Sequence, residues 1–440
     1  MPIQRSDRQF EETSLTPLDA PIDDSPGTDP VTEPGIEERS GPLGAFRSPM
    51  FVRFWTTICL SLTGVWVRIT AMGYLVYEIT DDELKLGLIS FAQAAPVLIT
   101  GPIAGSLLDR LDKRKILMAV QAVMFGAMLL VTWLVASDRV EFWHLVIIAV
   151  IVGGAAGFDW PSRLSLVPTL VPRSQLQSAV ALNAAAFNGS RILGPTIAGW
   201  LIGGFGLAAC FGFTAAALVP FIAVLLTLGI ATAAKSPTAS SGSAFSNLIE
   251  GYRYIWRTPK IRGLLSVDIV PLALGTTYFT MAPAIARDVL DLGSRGLGLL
   301  LAANGIGSLT GTIAVAMLSG VRHRGRIVIS GVACFSLFLI AFALSSNVQL
   351  SFVLILCLGL STSIYATFND TLVQLNADNA YRGRVLSVYT MLWGLTPIGG
   401  LEVGFLSSKI GVQNALAING MVILAYVAFL WLRTPVRQID

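Results

Sequence analysis

From Phe51 onward, long apolar stretches alternate with short polar breaks. The hydrocarbon core of a bilayer is about 30 Å thick and takes about 20 apolar residues in a helix. Stretches of that kind fall at 51–77, 86–108, 116–136, 142–160, 180–205 and 207–228, and again at 263–286, 297–318, 327–345, 350–368, 385–406 and 412–432. The pattern predicts an all-α integral membrane protein with twelve transmembrane helices in two groups of six. The break between the groups begins with a Ser-rich linker after Lys235, then places Phe245, Leu248, Ile249, Tyr252 and Trp256 at helical spacing beside Arg253 and Arg257. That spacing suits an amphipathic helix lying in the membrane interface.

Composition agrees. The 440 residues are 54% apolar and 13% charged, with a mean hydropathy of +0.69, whereas soluble domains carry roughly a quarter charged residues. The net charge of +3 matters less than its distribution. With the N-terminus inside, the loops on that side hold Arg110, Arg114, Lys115, Arg163, Arg173, Arg253, Arg257, Arg322, Arg382 and Arg384. The opposite loops hold only Lys85, Arg139, Arg287, Arg295 and Lys409. This bias orients a multi-pass protein in the plasma or inner membrane with both termini in the cytoplasm.

Residues 1–50 differ sharply from the rest. Acids such as Glu11, Glu12, Asp23 and Asp24 are interspersed with Pro17, Pro21, Pro26, Pro30 and Pro34, and such a segment buries too little apolar surface to fold. It reads as a disordered acidic cytoplasmic tail without the basic start and apolar core of a signal peptide. The expected organisation is this tail, a first bundle (51–230), a cytoplasmic linker with its helix (231–262), a second bundle (263–433) and a C-terminal tail (434–440). The four cysteines lack metal-ligand spacing, and no basic block with interleaved aromatics suggests nucleic acid. No cofactor or metal is expected, and the chain is read as a monomer.

The halves echo one another: Phe158–Asp159 and Phe368–Asn369–Asp370 close the fourth and tenth spans, and Gly194–Pro195 in the fifth corresponds to Pro397–Gly399 in the eleventh. Weak symmetry between six-helix halves marks rocking-bundle transporters.

After the second span the chain reads Gly105, Asp109, Arg110, Asp112, Lys113, Arg114 and Lys115 at the spacing of G-x-x-x-D-R-x-G-R-[RK], with Asp112 in place of the second glycine. This resembles the signature loop of the major facilitator superfamily. Further stretches are similar to a subgroup of drug and siderophore exporters that includes enterobactin exporters and macrolide efflux pumps. They are Tyr77–Glu78–Ile79–Thr80, Asn183 to Arg191, Gly251–Tyr252–Arg253–Tyr254, Gly298 to Gly307, and Arg382–Gly383–Arg384. The fifth span, with Ser190, Arg191, Gly194, Pro195, Ala198 and Gly199, resembles the exporters' motif g-x-x-x-G-P-x-x-G-G. The resemblance implies the major facilitator fold and export by alternating access.

Two roles follow as expectations. Asp109, Arg110, Arg114 and Asp159 would form a charge latch on the cytoplasmic face, with Gly105 in the same motif; the alternative is that they are ordinary topology charges. Arg191, Gly194, Pro195 and Gly199 would form a hinge, because proline removes a backbone donor and small residues admit a neighbouring helix. Ionisable groups deep in spans are functional candidates: Arg68 and Arg191 for an anionic substrate or a structural carboxylate, Glu402 and Asp268 for proton coupling, with Gln93 as a polar cavity liner. Val65 stands where relatives often carry an acid, so a proton site is not transferred from them. Phe54, Trp66, Tyr74, Tyr278 and Trp393 are candidate aromatic contacts.

The sequence thus points to a secondary active transporter exporting a small organic molecule, coupled to protons. An importer on the same fold and a non-transporting membrane sensor are the alternatives. An enzyme is not expected, since His144 and His323 lie far apart with no catalytic cluster around them.

Overall fold

In the computed structural model, residue 41 and residues 43–108, 111–228, 244–318, 321, 323–378 and 381–439 are described. The acidic tail, most of the linker before residue 244, Asp109, Arg110 and Arg322 lie outside them.

Among the described residues every regular element is helical. The first six crossings are α1 (Pro49–Thr80), α2 (Glu83–Leu108), α3 (Lys113–Ala136), α4 (Phe142–Leu170), α5 (Leu176–Phe205) and α6 (Leu207–Thr227). Then follow the amphipathic α7 (Ala244–Arg257) and α8 (Pro259–Val270). The seventh crossing continues past α8 through a π turn at Pro271–Gly275, two short turns and a second π turn at Ile285–Val289. α9 (Ser294–Met317), α10 (Arg324–Leu344) and α11 (Val348–Asn376) are unbroken. The eleventh crossing is α12 (Arg382–Met391), a 3-10 turn at Leu392–Leu395 and α13 (Thr396–Ile410); the twelfth is α14 (Val412–Arg433). Ten of these are long and apolar enough to cross a bilayer by composition alone. The other two are α5, diluted by Asn183, Asn188 and Arg191, and the broken eleventh crossing.

Local chemistry sets the boundaries. Ser48 caps α1, with Pro49 in its first turn, where proline's missing donor costs nothing. Asp112, the residue in place of the motif glycine, caps α3 by accepting from the Arg114 N–H at 2.9 Å. A carboxylate there satisfies an orphan donor and suits the helix dipole. Gly206 and Gly411, both at φ +82°, make the tight turns α5–α6 and α13–α14, a conformation that favours glycine.

Two spans run further than expected. The fourth continues from Trp160 to Leu170 through Pro161 and Pro168, and the tenth from Phe368 to Asn376. Proline is tolerated in membrane helices because neighbouring groups satisfy the freed carbonyls.

In the first half α1 packs on α5 and α6, α2 on α4, and α3 on α4 and α6. In the second, α11 packs on α9 and α10, and α14 on α10 and α13. The halves meet along α2–α13 and α5–α9. Trp133, Trp143, Trp200, Leu226 and Phe429 are among many large apolar side chains left facing outward, a surface that lipid, not water, would cover.

Candidate functional site: the interface between the halves

The helix ends define two faces. The starts of α3, α10 and α12 carry Arg114, Arg324 and Arg382, and the turn after α4 carries Arg173; this is the basic end. The turns holding Asp81, Asp138, Gly206, Asp291 and Gly411 form the far end.

Close contact between the halves is concentrated toward the far end. The Tyr77 hydroxyl donates to Asp288, and Arg287 pairs with Asp81 at 3.2 Å. A Cβ on Gly87 would stand 2.5 Å from the Gly400 carbonyl oxygen, and one on Gly298 would stand 2.5 Å from that of Pro195. These positions must stay bare for α2–α13 and α5–α9 to touch. The motif of the fifth crossing therefore works on two sides: Gly194 admits Trp66 of α1, whereas Gly199 admits α9 of the other half. α5 runs unbroken through Pro195. Among the described residues such contacts run out toward the basic end near Leu98–Gly394 and Ile192–Gly305, and Ile99, Ile103, Val180 and Met317 are exposed.

At mid-depth Arg191 reaches across. Its guanidinium donates to Asn304 of α9 at 3.0 Å, and the Asn304 amide donates to the Tyr278 hydroxyl at 2.9 Å. Arg191 also lies 5.8 Å from the Trp66 ring, which meets Phe279 of the other half edge-on at 5.9 Å. Phe279, Thr70, Ser90, Gln93 and Thr280 line a small cavity between the halves. Behind Gln93 lies Arg68, 6% exposed. With the Gln93 amide oxygen turned toward it, as the hydrogen bonding requires, both terminal nitrogens of Arg68 donate at 3.1 Å. Among the described residues neither Arg68 nor Arg191 has a carboxylate within 4.0 Å, so the expected structural carboxylate is not found there. A larger hollow of about 560 Å³ lies between α2 and α4, lined only by apolar side chains such as Leu88, Phe91 and Phe142. It has no group to orient a polar ligand.

Asp159 corrects the latch expectation. α4 continues eleven residues beyond it, about 16 Å at 1.5 Å per residue, so Asp159 is inside the bundle. It pairs with Arg163, one turn on, through the guanidinium Nε at 2.9 Å to both oxygens, and accepts from Gln121 at 2.5 Å. Arg163, expected in a loop, is 2% exposed, donates to Ser61 at 2.9 Å and covers the Phe221 ring at 4.3 Å. Arg114 is engaged elsewhere, donating to the Leu226 carbonyl of α6 at 2.6 Å. Gly105 lies in the last turns of α2, and Asp109 and Arg110 lie outside the described residues.

Of the candidate proton carriers, Asp268 is buried, 2% exposed. It accepts from Asn369 of α11 and Tyr389 of α12, each at 2.6 Å. No cation lies within ion-pair distance among the described residues. Glu402, on α13, is only partly buried and accepts from Asn419 of α14 at 3.1 Å. It faces the inside of the second half, not the α2–α13 contact. Phe54 packs against Phe221 within the first half at 5.7 Å, away from the cavity. The Trp393 side chain lies outside the described residues.

Sequence reasoning missed Arg163, Gln121, Asn304, Asn369 and Tyr389. One signal was available: Leu164, Leu166 and Val167 continue the apolar pattern past Pro161 and bring Arg163 inside.

At the basic end α7 is tied to the second half. Glu250 pairs with Arg384 at 2.9 Å, and the Tyr254 and Tyr381 rings stack at 4.5 Å. Ile249, Tyr252 and Trp256 remain exposed on α7, as an interfacial helix requires.

Comparison with known proteins accords with this architecture. Residues 40–440 match a family model described as transmembrane secretion effector. The chain is 24% identical to the staphyloferrin A transporter of Staphylococcus aureus, over 84% of this chain and 92% of that one. It is 25% identical to the multidrug efflux pump Tap of Mycolicibacterium fortuitum, over 90% and 98%. Among solved structures, the nucleoside transporter NupG aligns with a TM-score of 0.68 at 13% identity, covering 87% of this chain and 98% of that one.

Proposed function

From the premise that this chain belongs to the transmembrane secretion effector family, and is a multi-pass membrane transporter and not an enzyme, we propose that it exports a small organic molecule by alternating access coupled to protons. The basic end faces the cytoplasm in this reading, following the positive-inside rule. The observation that carries the proposal is the contact between the halves at the far end, one-sided among the described residues: Tyr77–Asp288 and the Gly87 and Gly298 crossings join that end. Rocking about these crossings exposes the cavity that Gln93 lines to one face at a time. The efflux names of the relatives support export over import.

Asp268 is the proposed proton carrier in preference to Glu402. It joins the seventh, tenth and eleventh crossings through neutral donors only, and two of those crossings are broken, by turns after Pro271 and before Pro397. A proton arriving or leaving there changes the bonding between the pieces most able to move. Closing the basic end is assigned to the loop of Asp109 and Arg110, and Gly199 and Pro195 supply the pivot. The working unit is taken as a monomer.

Inverted membrane vesicles test the proposal, because they present the basic end to the medium. Acidifying the lumen should drive dye uptake in vesicles carrying the protein, and Asp268→Asn should abolish the acid-driven component while leaving passive exchange. Uptake driven by an alkaline lumen, or acid-driven uptake undiminished in Asp268→Asn, would refute export or its carrier respectively.

A further inference from the structure

We infer that the substrate of this transporter is an organic anion, a carboxylate or comparable oxyanion on an apolar or aromatic body. The inference rests on the transport reading and names the ligand of its inter-half site. Two guanidinium groups stand at mid-membrane in the first half with only neutral acceptors: Arg68 on Gln93 and Arg191 on Asn304. Elsewhere in the same half a buried arginine, Arg163, takes the usual solution and pairs with Asp159. The contrast matters because a buried charge is retained only where something compensates it.

The setting of the two arginines says what compensates them. Gln93 lines the cavity and Phe279 borders it. Trp66, edge-on to Phe279, lies under Arg191. The Arg191 Nε is buried without a hydrogen-bond partner, so the fork keeps donor capacity that Asn304 does not use. An oxyanion arriving between the halves would accept from these forks in place of the amides of Gln93 and Asn304, and charge-assisted bonds are about twice as strong as the neutral ones they replace. The ligand's apolar or aromatic body would rest on Trp66 and Phe279. Because Asn304 belongs to the other half, displacing it also loosens the mid-depth contact between halves, which links binding to rocking.

Binding without any gradient tests this independently of transport direction. The purified protein in a neutral maltoside detergent is titrated against carboxyfluorescein, and separately against the cation ethidium, by fluorescence anisotropy. Carboxyfluorescein should bind saturably and more tightly than ethidium. Arg191→Gln and Arg68→Gln should each weaken it by about tenfold to a hundredfold, with Arg191→Lys in between. Asn304→Asp, which gives Arg191 an internal carboxylate, should weaken carboxyfluorescein and spare ethidium. Should Arg68→Gln not fold, the Arg191 and Asn304 variants decide. Absence of saturable carboxyfluorescein binding, tighter ethidium binding, or folded variants that bind carboxyfluorescein like the parent would overturn the assignment. A failure of export in vesicles would leave this result standing, and the reverse also holds.

Discussion

Arg191 of the first half donates to Asn304 of the second at 3.0 Å, a side-chain bond between the halves at the middle of the membrane. Asn304 is fully buried and also donates to Tyr278 and to the Ile355 carbonyl. Asn304→Leu removes all three bonds and leaves a guanidinium and a phenol without their partner. Each unsatisfied buried group costs about 1–3 kcal/mol, so the variant should unfold at a lower temperature in detergent. An unchanged unfolding temperature would mean that the contact contributes nothing to stability.

Arg163 and Asp159 should behave as structural residues. Removing one member of a buried pair costs about 3–5 kcal/mol, because the other charge is left alone. Arg163→Ala should therefore reduce the yield of folded protein, and Asp159→Leu combined with Arg163→Met should recover most of it. Arg114→Ala, which loses one bond to the Leu226 carbonyl, should have a much smaller effect. Thermal unfolding of the four proteins separates these cases, and a latch role for Asp159 would show instead as altered flux at normal stability.

The crossings and both halves were legible in the sequence because lipid imposes one rule on every span: about 20 apolar residues in a helix. The repeat was legible too, since Gly194–Pro195 and Pro397–Gly400 recur in corresponding spans and each pair of spans crosses the other half through bare glycine. What failed were the ends of α4 and α11. At Pro161 the reason is that a membrane helix passes through proline when its neighbours supply the missing bonds, so Arg163 lies inside; α11 has no proline and simply continues past the polar Asn369–Asp370. Polar partners were not legible at all. Asp268–Tyr389 and Arg191–Asn304 join helices more than a hundred residues apart, and periodicity gives a face without naming the helix that meets it.

Gly298 offers a steric test of the far-end contact. A leucine there would collide with the Pro195 carbonyl and with Gly199, and overpacking of this kind costs about 1–3 kcal/mol against the state that contains it. Gly298→Leu should therefore shift the protein toward a form open at the far end and slow flux by about tenfold or more. Gly126→Ala, facing open space on α3, should leave flux unchanged and stability equal or slightly higher. Flux measurements on both variants check this, and normal transport by Gly298→Leu would remove the glycine crossing from the account.

The Asp81–Arg287 pair should matter little by itself. Its side chains are 69% and 48% exposed, and exposed pairs contribute about 0–1 kcal/mol. Asp81→Asn should change the flux rate by no more than about fivefold. A complete loss in the same vesicle assay would show that this pair, and not the glycine crossings, closes the far end.

The most direct test of alternating access measures both ends of the molecule at once. With the four native cysteines replaced, spin labels are placed at Phe205 and Lys409 for the far end, and in a second sample at Arg173 and Arg382 for the basic end. Pulsed electron–electron distances are then recorded with and without a transported dye and an imposed pH gradient. The account predicts that a longer far-end distance appears under transport conditions together with a shorter basic-end distance. Distances that lengthen together, or stay fixed in protein that is transporting, would contradict it.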